Sequence, residues 1–127
     1  MQTRTALITG ASSGIGFVFA KELAREGYTV TCVARNEEKL NGLVNELGDV
    51  HRYIRADLTN LDDLSIVSQD IKNTKYSLLI NNAGYGIYEK FENSPIEKIN
   101  NLIQLNINSL VQLSHVFLKT ASAGDPL

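Results

Sequence analysis

Between Thr9 and Gly16 the chain reads Thr9-Gly10-Ala11-Ser12-Ser13-Gly14-Ile15-Gly16, with glycines spaced G-x-x-x-G-x-G. Small residues of this kind present backbone N–H groups to an anion with no side chain in the way. An apolar run, Ala6-Leu7-Ile8, precedes the segment, and a helix-like stretch from Ile15 to Glu26 follows it. Strand, glycine-rich turn and helix form the geometry that takes a dinucleotide pyrophosphate. Gly10 permits the tight turn, Gly14 lets the backbone approach the phosphates, and Gly16 lets the helix lie close to the strand. The free N–H groups of the first helical turn then point at the anion. This reading assigns Gly10, Ala11, Ser12, Ser13, Gly14, Ile15 and Gly16 to the cofactor.

Three more elements fall where a nucleotide site needs them. Arg35 stands directly after a second strand-like run that ends Val33-Ala34, with no acid before Asn36. An acid there would bind the adenosine ribose hydroxyls and mark NAD, whereas a cation can pair with a 2′-phosphate and mark NADP. The plainer alternative is a solvated arginine. However, Arg35 precedes a helix N-terminus, where the dipole disfavours a cation, and a nearby anion would relieve that. Asp57-Leu58 follows the third strand-like run. Its carboxylate can accept from an adenine amino group or help to start the next helix, and position alone does not decide between them. Asn81-Asn82-Ala83-Gly84 closes the fourth. Small residues let that strand end pass close to a ribose, and the Asn82 amide can bridge backbone on neighbouring strands. An ordinary Asn/Gly turn is the alternative.

The elements that must position these residues alternate. Strands are expected at about Thr5 to Thr9, Tyr28 to Ala34, Val50 to Arg55 and Ser77 to Asn81. Helices are expected at about Gly14 to Glu26, from Asn36 to Gly48, and from Leu61 to Lys72. Gly27 is expected as a C-cap, Asn36 as an N-cap, and Thr59 or Asn60 as the cap of the third helix. Leu40, Leu43, Val44 and Leu47 make one apolar stripe. Leu78-Leu79-Ile80 reads as a strand covered on both faces. Ser94-Pro95-Ile96-Glu97 reads as a capping box opening a helix to about Lys119. Alternation of this kind implies an α/β fold: a doubly wound parallel sheet of about four strands with helices on both faces.

Composition narrows the function classes. Lys and Arg number 12 against 14 Asp and Glu in 127 residues, a formal net charge of -2. That balance argues against a nucleic-acid partner, which needs a basic surface. The apolar runs are too short to cross a bilayer and no basic-then-apolar leader is present, so no membrane partner and a cytoplasmic location are expected. Cys32, the single cysteine, lies in an apolar run and reads as a buried thiol. His51 and His115 read as structural or solvated, and no cluster suggests a metal.

Together the four elements resemble the short-chain dehydrogenase/reductase family over about residues 3 to 119. The marks are Thr9-Gly10-x-x-x-Gly14-Ile15-Gly16, Asp57 after the third strand, Asn81-Asn82-Ala83-Gly84, and Asn106 in the long helix. The resemblance implies a Rossmann-type fold and an NAD(P)(H)-dependent oxidoreductase acting on a carbonyl or alcohol. Cofactor-binding residues would be the glycine loop with Arg35, Asp57, Leu58, Asn82, Ala83 and Gly84. NADP(H) is favoured over NAD. Members often carry a second basic residue just before the middle glycine in NADP users; here Ser13 stands there, so the preference rests on Arg35. Asn106 shares a helical face with Leu102, Ile103, Leu110, Leu113 and Phe117. By pattern alone it is a structural Asn satisfied by backbone or water. By resemblance it is the Asn of a catalytic tetrad, positioning a water that relays protons to a lysine.

The rest of that tetrad has no match. The family supplies a Ser and a Tyr-x-x-x-Lys after the Asn-bearing helix, the tyrosine moving the proton and the lysine lowering its pKa. Four positions after Tyr28, Tyr53, Tyr76, Tyr85 and Tyr88 stand Cys32, Asp57, Ile80, Glu89 and Glu92, and all five tyrosines precede Asn106. Family members are about twice this length. The expectation is therefore a partial cofactor-binding domain over 1–119 with an irregular tail over 120–127, from a truncated form inactive on its own. A non-catalytic nucleotide-binding or protein-interaction module is the alternative. Self-association is expected through the long helix or the open edge of the fourth strand.

Overall fold

The structure, a computed structural model, describes residues 4–12, 14–84 and 90–120. Four parallel strands form one sheet in the order β3-β2-β1-β4: β1 Thr5–Thr9, β2 Thr29–Ala34, β3 Arg52–Arg55 and β4 Leu78–Ile80. Between them run α1 Gly14–Arg25, α2 Glu37–Leu47 and α3 Leu61–Thr74. After β4 come a short 3-10 turn, Phe91–Asn93, then α4 Ile96–Ile103, a π-helical stretch Gln104–Ser109, and α5 Leu110–Thr120. This is the expected doubly wound α/β sheet of Rossmann type.

Side-chain alternation along each strand builds two cores. Ile8, Val30, Cys32 and Ala34 face one way and pack with Ala20 of α1 and Leu40 and Leu43 of α2. Leu7, Val33 and Leu79 face the other way and pack with Leu64, Val67 and Ile71 of α3 and Leu113 and Phe117 of α5. Register agrees with this, since Ile8 pairs with Cys32 and Leu7 with Leu79. Burial pushes the Cys32 thiol up to about 12, which leaves it inert.

Local signals placed the middle helices well. The Asn36 side chain accepts from the Lys39 N–H, and Asn60 accepts from Asp63, both as N-caps. Gly48 closes α2. Downstream of β4 the sequence pattern misleads in two places. Ser94 does not cap a helix; its hydroxyl donates to the Lys90 carbonyl at 3.2 Å, and α4 opens after Pro95 with no side-chain cap. The long helix does continue, to Thr120, but its middle is π-helical. There the Ser109 hydroxyl donates to the Leu105 carbonyl at 2.5 Å.

A π-turn admits one extra residue and rotates the downstream helix face by about 100°. The face expected around Asn106 is split in its burial. Leu113 and Phe117 are buried, whereas Ile103 and Leu110 are 45% and 43% exposed. β4 is also less covered than expected: Leu79 is buried, but Leu78 and Ile80 are only partly so. Among the described residues no helix is long and apolar enough to cross a membrane.

A polar tie fixes the end of the sheet where the strands begin. The Tyr76 hydroxyl donates to Asp70 and lies 2.9 Å from Thr31 Oγ1. Arg52 donates to Asp70 at 2.6 Å and to Tyr76 at 2.9 Å. Burial, with Asp70 beside it, pushes the Tyr76 phenol up to about 12, so it stays a donor at any ordinary pH. His51 holds the same end: its Nδ1 accepts the Val30 N–H at 3.0 Å, which requires a neutral ring.

Candidate functional site

The chain winds outward from β1 through β2 to β3, then crosses back to place β4 on the other side of β1. The loops leaving β1 and β4 therefore diverge, and a crevice opens beyond the strand C-termini. It is a cleft of about 780 Å³.

One wall is the glycine loop. Gly10, Ser12, Gly14 and Ile15 line it. Gly10 has φ +65°, the left-handed region. A Cβ on Gly16 would collide with the Gly10 carbonyl oxygen and sit 2.5 Å from Asn82 Nδ2. Gly16 itself is buried behind the lining. Ala11 does not face the cleft either; it is fully buried, and its N–H donates to the Val33 carbonyl at 3.2 Å. Its small side chain packs the turn onto β2, so that amide is not free for a ligand. Ser13 lies outside the described residues.

The second wall is the end of β4. Asn82, Ala83 and Gly84 line the cleft. The Asn82 side-chain amide donates to the Gly10 carbonyl at 3.1 Å, bridging this wall to the first. Thr9 makes a second bridge: its hydroxyl oxygen accepts the backbone N–H groups of Asn82 and Ala83 at 2.9 and 3.0 Å. Sequence reasoning named Thr9 only as part of the motif, because a hydroxyl at a strand end gives no local hint of a partner more than seventy residues on.

The third wall carries the charge. Arg35, Asp57 and Leu58 line it, joined by Asn36, Lys39 and Thr59. Arg35 and Lys39 are both exposed, and among the described residues no carboxylate forms an ion pair with either. Lys39 was missed in the sequence; Arg35 precedes the N-cap Asn36, so helical spacing does not link the two. Asp57 Oδ1 accepts from the Thr59 N–H and hydroxyl at 3.0 and 2.6 Å. Burial acts to raise the Asp57 carboxyl, but the Thr59 hydrogen bonds and the Arg35 and Arg55 charges outweigh it and hold it below its usual range. Asp57 is thus ionised beside the cleft and also braces its own loop.

Asn106 does not line the cleft. It lies behind Gly84: a Cβ there would stand 2.8 Å from Asn106 Oδ1. The arrangement can cradle an extended diphosphate on backbone N–H groups and offers cations at one end. A Cβ at Gly10, 3.0 Å from Asn82 Nδ2 and Ala83 Cα, would crowd the floor.

The family model for short chain dehydrogenase matches residues 4–125. This chain belongs to that family. It is 30% identical, over 98% of its length, to an uncharacterized oxidoreductase of Staphylococcus epidermidis and covers 56% of that protein. A short-chain dehydrogenase from Sphingobium yanoikuyae in complex with NADPH superposes with a TM-score of 0.86 at 37% identity, covering 90% of this chain and 46% of that one. A 3-ketoacyl-(acyl-carrier-protein) reductase from Brucella melitensis complexed with NADH gives 0.83 at 27% identity, over 92% and 50%. This short-chain dehydrogenase sequence spans about half the length of the relatives it matches.

Proposed function

We propose that the cleft binds a nicotinamide dinucleotide, NADP(H) in preference to NAD(H), as the cofactor half of an oxidoreductase acting on a carbonyl or alcohol. One observation carries the preference: Arg35 stands exposed at the cleft wall where an acid would select NAD, and Lys39 lines the same wall. The neighbours bound to NADPH and to NADH support a nicotinamide cofactor without choosing between the two. In this placement the pyrophosphate lies on the Gly10–Ile15 loop at the α1 N-terminus, the adenine near Asp57 and Leu58, and the ribose of the nicotinamide near Ala83 and Gly84. The nicotinamide, when bound, supplies or accepts a hydride. Asn106, set behind Gly84, would hold a water for proton relay. Calorimetric titration with NADPH and NADH tests the reading. Tighter NADPH binding, reversed by Arg35→Asp, is expected; equal affinities sink the Arg35 assignment.

A non-catalytic nucleotide-binding module is the second reading. The five tyrosines of these 127 residues, none with a lysine four positions on, leave that reading open.

A further inference from the structure

We infer that Arg55 and Asp63 form a strut that sets the adenosine end of the cleft, placing Arg35 and Asp57 relative to each other. This rests on the nucleotide reading above. Backbone pairing between β2 and β3 runs out at Ala34 and Arg55, with a last N–H bond from Ala56 to the Ala34 carbonyl at 2.9 Å. Beyond that point the two chains part, one toward Arg35 and the other toward Asp57. The Arg55 side chain takes over where the ladder ends. Its Nε donates to the Arg35 carbonyl at 3.3 Å, and its Nη1 donates to Asp63 Oδ2 at 3.2 Å. The same Asp63 oxygen accepts the Asp57 backbone N–H at 2.9 Å. A continuous line thus runs from the Arg35 carbonyl through a guanidinium and a carboxylate to the Asp57 amide.

The line is anchored. The Asp63 N–H donates to the Asn60 side chain at 3.0 Å, so the carboxylate is carried by the capped first turn of α3. Asp63 is well covered, its side chain 21% exposed, while that of Arg55 is 48% exposed. The strut also has an electrostatic role. Arg35 and Arg55 are neighbouring cations, and Asp63 pairs with Arg55 at 3.2 Å. Arg35 and Lys39 are left as the cations that face the cleft, with no carboxylate paired to either among the described residues. A lysine cannot replace Arg55 here, because an ammonium on a flexible stem lacks the rigid fork that donates in two fixed directions.

The decisive variant is therefore Arg55→Lys, which keeps the charge and can keep the pair with Asp63. Binding of NADPH, NADH, 5′-AMP and 5′-IMP to the purified protein is measured by calorimetry, alongside thermal melts. The expected result is an unchanged melt and an NADPH-to-NADH affinity ratio about fivefold below the parent protein's. The double variant Arg55→Lys/Arg35→Ala should lose no more than Arg35→Ala alone. A parent-like ratio in Arg55→Lys overturns the strut, since a merely structural or long-range charge role is met by lysine. A parent protein with equal NADPH and NADH affinity refutes the Arg35 reading instead. The strut is then judged on its Asp57 arm. There Arg55→Lys must narrow the preference for 5′-AMP, which carries the amino group, over 5′-IMP, which does not; an unchanged preference overturns it.

Discussion

Asn106 Oδ1 occupies the space beside Gly84 so closely that a Cβ on residue 84 would be 2.8 Å away. The β4 exit loop and the π-helical stretch thus share one volume. Gly84→Ala should destabilise the fold by about 1–3 kcal/mol, the usual range for overpacking. Asn106→Ala removes the obstacle, so the double variant should cost less than the sum of the two singles. Urea melts of all four proteins measure the coupling, and additive costs would show that the two residues do not meet.

Gly16→Ala should be harsher. Its new methyl would meet the Gly10 carbonyl and the Asn82 amide, both held in place by the turn and by each other. A loss of about 3 kcal/mol or more is expected, above most overpacking. A stable Gly16→Ala protein would mean that α1 can slide on β1.

Lys39→Ala should weaken NADPH by about fivefold at low salt and leave NADH nearly unchanged, the effect of one exposed cation on a phosphate. Titration at two salt concentrations checks it. A loss shared equally by both cofactors would move Lys39 away from the 2′-phosphate.

Acid stability should depend on His51. Burial lowers its pKa in the fold, so below about pH 6.5 the unfolded chain binds a proton that the folded chain resists. Stability therefore falls as pH drops through that region. His51→Gln keeps an acceptor for the Val30 N–H and does not titrate. Its melting temperature should change less than the parent's between pH 7 and pH 5.5; parallel curves would clear His51 of the effect.

The 127-residue chain should leave NADPH unconsumed with aldehydes and ketones, because no tyrosine has its lysine. Loss of general acid–base catalysis alone removes about 10²–10⁴ in rate. It should also self-associate. Ile103, Ile107, Leu110, Val111 and Leu118 are each over 40% exposed along the last helices. Light scattering decides: a monodisperse monomer would refute the second expectation.

Much of this was legible because the signals are local. Asn36 and Asn60 cap helices a few residues away, and Ile8 and Leu79 sit in short apolar runs that form strands with those side chains buried. The glycine loop carries its own geometry. What escaped is held by distance in the chain. The π-helical stretch leaves no mark on the apolar periodicity, which assumes an unbroken α-helix. Ser94 matched a capping pattern, yet its hydroxyl found the Lys90 carbonyl first. Arg55, Asp63 and Thr9 are ordinary residues until β3 is laid beside β2 and β4 beside β1.

The Arg52–Asp70–Tyr76 tie closes the end of the sheet opposite the cleft. Strand beginnings are therefore fastened by polar groups remote from the cleft, with Tyr76 buried and Arg52 half-exposed, while strand ends carry the loops that line it. Such a layout separates heritable risk. Changes that retune the rim need not loosen the base, so a lineage can wander among nucleotides and substrates while the same four strands persist beneath.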